Sequence, residues 1–208
     1  MKEKIRQKIQ ETKADLVLEH VSDYFDKVGF SQATMQEIAA AVGISVGALY
    51  KLFPSKDALL AAYVDYQIRQ FDKALRNACL HTPDPKSCLI RFIQMKFTTF
   101  ASKKKALEDP ILGDPFFFLK LHTRKENAAL SILQFLAEQF VQLKKEVPIK
   151  CEDHLKTAYL FNSYTMGYIE YWLNYGGNLE EKAEEVLERF LNGQTYCHEA
   201  NIDAGIKG

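Results

Sequence analysis

This chain is poor in the residues that usually announce chemistry. Its four cysteines, Cys79, Cys88, Cys151 and Cys197, share no paired motif, which excludes a disulfide scaffold and the spacing of a zinc finger. They read as reduced thiols, the state expected of a cytoplasmic protein. No apolar run approaches the roughly 20 residues needed to cross a bilayer. The charged start, Met1-Lys2-Glu3-Lys4, runs straight into helical periodicity and is not the pattern of a signal peptide. No glycine-rich phosphate loop, nucleophile elbow or His-Glu-x-x-His run occurs, and the five histidines lack partner spacing. His20 falls near an apolar face and reads as a core or cap residue. No catalytic residue and no cofactor are therefore expected. The formal net charge is +0, so overall charge does not suggest a polyanionic partner. Residues 1 to 60 are balanced too, with bases gathered at the extreme N-terminus and around the third helix.

What the chain does have is helical periodicity almost throughout, with 47% hydrophobic residues. Residues 3 to 27 place Ile5, Ile9, Leu16, Val17, His20, Val21, Tyr24 and Phe25 near one face, and Gly29 follows as a stop. A helix from Lys56 to about Leu80 carries Leu59, Leu60, Tyr63, Ile68 and Phe71. Asp-Pro recurs at 84–85, 109–110 and 114–115, each an N-cap acceptor followed by a proline at the first helical position. Helices follow at about 85–101, 110–113 and 115–146, then from Cys151 to Tyr175. Gly176-Gly177 breaks the last of these, Asn178 with Glu181 resembles a fresh cap, and a final amphipathic helix carries Leu179, Ala183, Val186, Leu187, Phe190 and Leu191. The fold class is all-α.

Residues 34–59 are the most specific stretch. Thr34 and Glu37 have capping-box spacing, and Ile38, Ala39 and Val42 make one apolar stripe. Gly43 sits where that helix must end, Ser45 can cap the next, and Val46, Leu49 and Phe53 give the second helix an inner face. Pro54 stops it, and Ser55 can cap a helix beginning at Lys56. Two short helices joined by a glycine-containing turn make a helix-turn-helix.

The ungapped series Thr34, Ile38-Ala39, Gly43-Ile44-Ser45, Gly47, Leu49-Tyr50, Phe53, Ser55-Lys56 and Leu59 resembles the DNA-binding signature of the TetR family of one-component transcriptional regulators. Leu52 departs from it, standing where many members carry histidine, and no phosphate contact is expected there. The resemblance implies a three-helix DNA-binding domain over residues 1–55 and a helical effector-binding and dimerisation domain over 56–208. It implies double-stranded operator DNA as a partner, with repression relieved by a small-molecule effector. Thr34, Ser45, Val46, Gly47, Ala48, Tyr50, Lys51 and Lys56 are the DNA-facing candidates. Gly47 and Ala48 are small enough for close approach, and Val46 and Ala48 offer apolar contact to a thymine methyl. Tyr50, Thr34 and Lys56 suit phosphate oxygens, and Lys51 suits either phosphate or guanine.

The second half is aromatic, with Phe92, Phe97, Phe100, Phe116, Phe117, Phe118, Phe135 and Phe140. Tyr164, Tyr168, Tyr171 and Tyr175 fall on one helical stripe, and four buried hydroxyls in a row would need partners, in core, cavity or interface. The resemblance implies an effector pocket here, for which Phe97, Phe100, Phe117, Tyr164 and Tyr168 are the candidates, and a homodimer through the last two long helices. The helix from Lys56 is the expected lever between the two activities. A hydrophobic or aromatic effector suits the composition. Two other readings stay open: a DNA-binding regulator controlled by a partner protein, and a metal-responsive one using Cys151 and His154 at i, i+3 with Cys79, His81, Cys197 and His198.

Overall fold

The computed structural model describes residues 1–82, 84–107, 128–149 and 153–194. They form α1 (Lys2–Val28), α2 (Met35–Ala41), α3 (Val46–Leu52), α4 (Lys56–Cys79), α5 (Pro85–Ser102), α6 (Lys104–Leu107), α7 (Ala129–Leu143), α8 (His154–Tyr175) and α9 (Ala183–Gln194), the last preceded by a 3-10 turn at Glu180–Lys182. The fold is all-α, with no strand among the described residues. None of the described helices is long and apolar enough to cross a membrane. The chain divides into two compact units, Met1–Asn77 with Thr99–Ile132, and Ala78–Thr98 with Leu133–Gly208.

In the first unit a single core joins α1 to α4. Val17, Leu18, Val21 and Phe25 of α1 meet Ile38 and Ala39 of α2, Leu49 of α3, and Leu59, Leu60, Tyr63 and Val64 of α4. Phe25 is the hub, its ring 5.2 Å from those of Phe30 and Tyr63, both edge-on. Packing therefore does not stop at residue 55, because the first two turns of α4 belong to the same core. Farther along α4, Asp72 and Arg76 form an i, i+4 pair at 3.0 Å. Both hold Ser131, whose hydroxyl donates to Asp72 at 2.7 Å and whose carbonyl accepts from Arg76 at 3.0 Å.

The expected face of α1 needs correction. Ile5, Ile9 and Leu16 are 52–55% exposed, and His20 is exposed, its Nδ1 2.8 Å from the Leu16 carbonyl oxygen. The core begins only at Ala14 and Val17 and takes up Leu18, which the sequence reading omitted.

The second unit is built on aromatic packing. Phe161 of α8 lies 5.8 Å from Phe92, 5.4 Å from Phe140 and 5.0 Å from Phe190. Asp84 caps α5 by accepting from the Ser87 amide at 2.8 Å, as Asp-Pro spacing predicts. α8 starts at His154, not Cys151, because Asp153 caps it by accepting from the Lys156 amide at 2.9 Å. Asn178 is not a cap: the chain enters α9 through the Glu180–Lys182 turn, with no side-chain cap bond at Leu179. Within the range 115–146, the described helix is Ala129–Leu143. The short α6 was not expected from sequence. The helix placed near 110–113, Phe116 to Phe118, Cys151 and Cys197 lie outside the described residues.

Candidate nucleic-acid interface

The turn between α2 and α3 is fixed by backbone geometry at one residue. Gly43 has φ 73°, a conformation that residues with a Cβ rarely adopt. Around it the Ile44 amide donates to the Ala39 carbonyl at 3.0 Å and the Gly43 amide to Ala40 at 3.2 Å. That pair of bonds satisfies the last carbonyls of α2 and turns the chain sharply into α3.

Each of the three helix starts is capped as the sequence predicts. The Thr34 hydroxyl accepts from the Glu37 amide at 3.2 Å, while the Glu37 carboxylate accepts from the Thr34 amide at 2.9 Å, which completes a capping box. The hydrogen bonds from the Thr34 side chain and backbone hold the Glu37 carboxyl below its usual range. Ser45 accepts from the Ala48 amide at 3.2 Å and Ser55 from the Ala58 amide at 3.0 Å. Such caps are each worth about 0.5–2 kcal/mol, enough to fix where a seven-residue helix begins.

With its ends fixed, α3 divides by azimuth. Leu49 and Phe53 are buried, and Val46, Ala48 and Leu52 are half-buried. Gly47, Tyr50 and Lys51 are exposed, as are the capping residues Thr34 and Ser45. A Cβ built on Gly47 meets nothing within 4 Å, so nothing inside the protein requires a glycine there. Gly47→Ala should leave thermal unfolding unchanged or raise stability by up to about 1 kcal/mol. Operator affinity in a gel-shift titration should fall about tenfold, a cost of about 1.4 kcal/mol, if the absent Cβ makes room for DNA. An unaltered affinity would assign the glycine no role.

Two of the DNA-facing candidates are already engaged by the protein. The Thr34 hydroxyl proton goes to Glu37 at 2.8 Å, so that hydroxyl has no second proton for a phosphate oxygen. Lys56 is half-buried, its Nζ 3.0 Å from the Ser31 carbonyl oxygen and 4.7 Å from the centre of the Phe30 ring. It ties the start of α4 to the loop after α1, a role that the motif alone does not reveal. The candidate surface thus has Ser45, Gly47, Tyr50 and Lys51 as its outward groups, with Val46 and Ala48 half-buried at their edge.

The residues nominated for an effector pocket fall out differently. Phe97 is wholly buried, Phe100 is half-buried, and Phe117 lies outside the described residues. Tyr164 and Tyr168 are half-buried, with their rings edge-on at 5.4 Å and their hydroxyls 3.4 Å apart. Burial and this shared hydrogen bond push the Tyr168 hydroxyl up to about 12. Tyr171 and Tyr175 are 63% and 76% exposed, so the four tyrosines do not form a buried ladder. The apolar stripe of α9 does not face outward, since Leu179, Ala183, Val186, Leu187, Phe190 and Leu191 are all buried within the chain.

The sequence reading missed a buried cation. Lys96 of α5 donates to the Asn162 side-chain oxygen at 2.8 Å, the Asn162 carbonyl at 3.1 Å and the Thr165 hydroxyl at 2.8 Å. Its Nζ lies 5.4 Å from the centre of the Phe92 ring. All three acceptors are neutral, and burial lowers its pKa to about 7. A signal was present, because Lys96 sits four residues after Phe92 and three after Ile93, on the buried stripe of α5. No group of three or more metal-ligating side chains occurs among the described residues. Cys79, however, is hydrogen-bonded to Cys88, and burial followed by that bond pushes its thiol up to about 12. Such a thiol is a poor nucleophile.

Residues 23–63 match the family described as bacterial regulatory proteins, tetR family. The uncharacterized HTH-type transcriptional regulator YerO of Bacillus subtilis is 30% identical over 182 residues, 86% of this chain and 55% of that protein. The HTH-type transcriptional regulator EthR of Mycolicibacterium smegmatis is 34% identical over 74 residues, 35% of this chain and 34% of its own length. The chain thus spans about half or less of these two curated relatives. Among solved structures, the fatty acid degradation regulator FadR of Bacillus halodurans superposes with a TM-score of 0.68 at 19% identity, covering 87% of this chain and 95% of that one. FadR of Bacillus subtilis, solved with stearoyl-CoA, gives 0.66 at 15% identity, over 86% and 97%.

Proposed function

Since this chain belongs to the TetR family of bacterial transcriptional regulators, we propose that it binds a palindromic operator as a homodimer and represses transcription until a small apolar effector releases it. The observation that carries the DNA-binding part is the division of α3. Leu49 and Phe53 anchor the helix while Gly47, Tyr50 and Lys51 remain exposed beside a capped, rigid turn. Tyr50, Lys51 and the Ser45 hydroxyl take phosphate oxygens, and Val46 and Ala48 meet base edges through apolar contact. In vitro selection from random duplexes, followed by footprinting, tests this reading. Enrichment of a sequence with two-fold symmetry is expected, and failure to enrich any sequence would refute it.

One seven-residue helix reaches only a few base pairs, so useful affinity calls for two copies. The outward side of α8 supports this reading. Leu155, Tyr159, Leu160, Tyr171 and Tyr175 are 44–76% exposed, and a Cβ built on Gly167 meets nothing within 4 Å. Because the α9 stripe is used internally, α8 supplies the apolar surface of the proposed dimer. Leu160→Glu with Tyr171→Glu should leave the chain folded but convert a dimer to a monomer in sedimentation velocity. A wild-type chain that sediments as a monomer at micromolar concentration would remove the proposal.

For the effector, the fold likeness to FadR with stearoyl-CoA supports a long-chain acyl compound, received in the second unit by Phe97, Tyr164 and Tyr168. A thermal-shift series of acyl-CoA chain lengths tests it, with stabilisation that rises with ligand concentration as the expected result.

A further inference from the structure

Charge in the DNA-binding region is split in a way that its balanced total conceals. Over residues 14–57 there are three cations, Lys27, Lys51 and Lys56, against six anions, Asp15, Glu19, Asp23, Asp26, Glu37 and Asp57. That segment contains the whole helix-turn-helix and is net acidic, which opposes a polyanion. Over residues 2–13 the balance reverses, with Lys2, Lys4, Arg6, Lys8 and Lys13 against Glu3 and Glu11.

This basic stretch is the overhang of α1. Every residue from Lys2 to Lys13 is exposed, and core packing starts at Ala14. At 1.5 Å per residue the overhang extends about 18 Å beyond the core. Among the described residues none of its five cations has an ion-pair partner. By contrast Asp15, at its base, is held by Arg69 at 2.9 Å.

The overhang stands beside the recognition helix. Arg6, Gln7 and Gln10 line an open groove with Glu3, Glu11, Ala14 and Leu52, and Leu52 is the last residue of α3. Lys2, Arg6 and Lys13, at i, i+4 and i+11, share one helical stripe. The like-charged Lys2 and Arg6, one turn apart, repel mildly until an anion lies across them. Leu52 itself has no group to offer a phosphate.

We propose that the α1 overhang is a second DNA-contacting element, in which Lys2, Arg6 and Lys13 hold backbone phosphates flanking the bases met by α3. The inference rests on the DNA-binding reading above and adds residues that the helix-turn-helix does not contain. Its contacts are to phosphate, so they contribute affinity and salt dependence without choosing a sequence. Glu3 and Glu11 in the same groove keep the phosphates to the Lys2–Arg6–Lys13 edge.

The test uses the full chain and a fluorescent duplex of arbitrary sequence, about three helical turns long. Lys2→Gln, Arg6→Gln and Lys13→Gln are combined in one variant. Lys73→Gln, Lys86→Gln and Lys145→Gln, exposed positions away from the overhang and from the outward face of α8, remove the same charge in a second. The overhang variant should bind about tenfold more weakly at low salt, with the slope of log affinity against log salt shallower by about 2–3 for each bound protomer. Its thermal unfolding should match wild type, and the second variant should keep wild-type slope. Equal losses in both variants, or none in the first, overturn the inference and leave the DNA-binding reading standing. A wild-type chain that binds no duplex at low salt overturns that reading and the inference together.

Discussion

Replacing Tyr50 and Lys51 together by alanine should lower operator affinity by about 2–4 kcal/mol and leave thermal unfolding unchanged. Both side chains are exposed, Tyr50 by 44%, so their removal opens no cavity. Alanine has a strong helix propensity, so α3 should keep its form. The anchors Leu49 and Phe53, together with the Ser45 cap, stay in place. The effect should therefore appear only in binding. Loss of the Lys51 charge should also flatten the salt dependence by about one phosphate contact per protomer. Gel-shift titration against a selected operator at two salt concentrations reads both effects. Unchanged affinity would mean that α3 does not face DNA.

The second large effect concerns Lys96. Burial lowers its pKa to about 7 in the folded chain, against roughly 10.4 for lysine in an unfolded chain. Between those values the unfolded state binds a proton that the folded state lacks, so stability rises with pH across that window. Below about pH 7 both states are protonated and the full desolvation cost persists. Lys96→Met removes the cost while keeping a long apolar stem in contact with Phe92. Replacing a buried ion pair by well-packed apolar groups is often neutral or stabilising by about 1–4 kcal/mol. Here the neutral acceptors of Asn162 and Thr165 lose a donor, so the gain falls at the low end of that range. The variant should therefore unfold at higher denaturant concentration than wild type at pH 6, with the difference shrinking as pH approaches 10. Parallel curves at the two pH values would show that the ammonium keeps its ordinary hydration. Retention of a costly cation among Phe92, Asn162 and Thr165 also marks this spot for testing against acidic effectors.

The readable parts of this molecule are those decided locally. Thr34 with Glu37, Ser45, Ser55, Asp84 and Gly43 act within three to five residues, so their spacing alone gives the helix ends. What depends on distant neighbours was not legible. Periodicity put Ile5, Ile9 and Leu16 near one face of α1, but nothing in the overhang's sequence says that the rest of the bundle begins at Ala14. The α9 stripe could serve an interface or its own chain, and only its burial alongside Phe140 and Phe161 decides between them. Tyr171 and Tyr175 share a stripe with Tyr164 and Tyr168, yet they lie past the point where Phe190 covers the helix. Lys56 illustrates the same limit: its motif position is obvious, whereas its bond to the Ser31 carbonyl needs a loop 25 residues away.

The core that runs from Phe25 through Leu49 to Val64 has a bearing on how this reading head could be exchanged between genes. A chimera spliced at Pro54 would take the whole motif but leave Leu59, Leu60, Tyr63 and Val64 behind. The transplanted α1 to α3 would then expose the apolar side that those residues cover. Even a splice after α4 would strip Asp72 and Arg76 of Ser131. As an evolutionary module, the head is longer than its signature, and recombination within α4 would separate a reader from part of its own foundation.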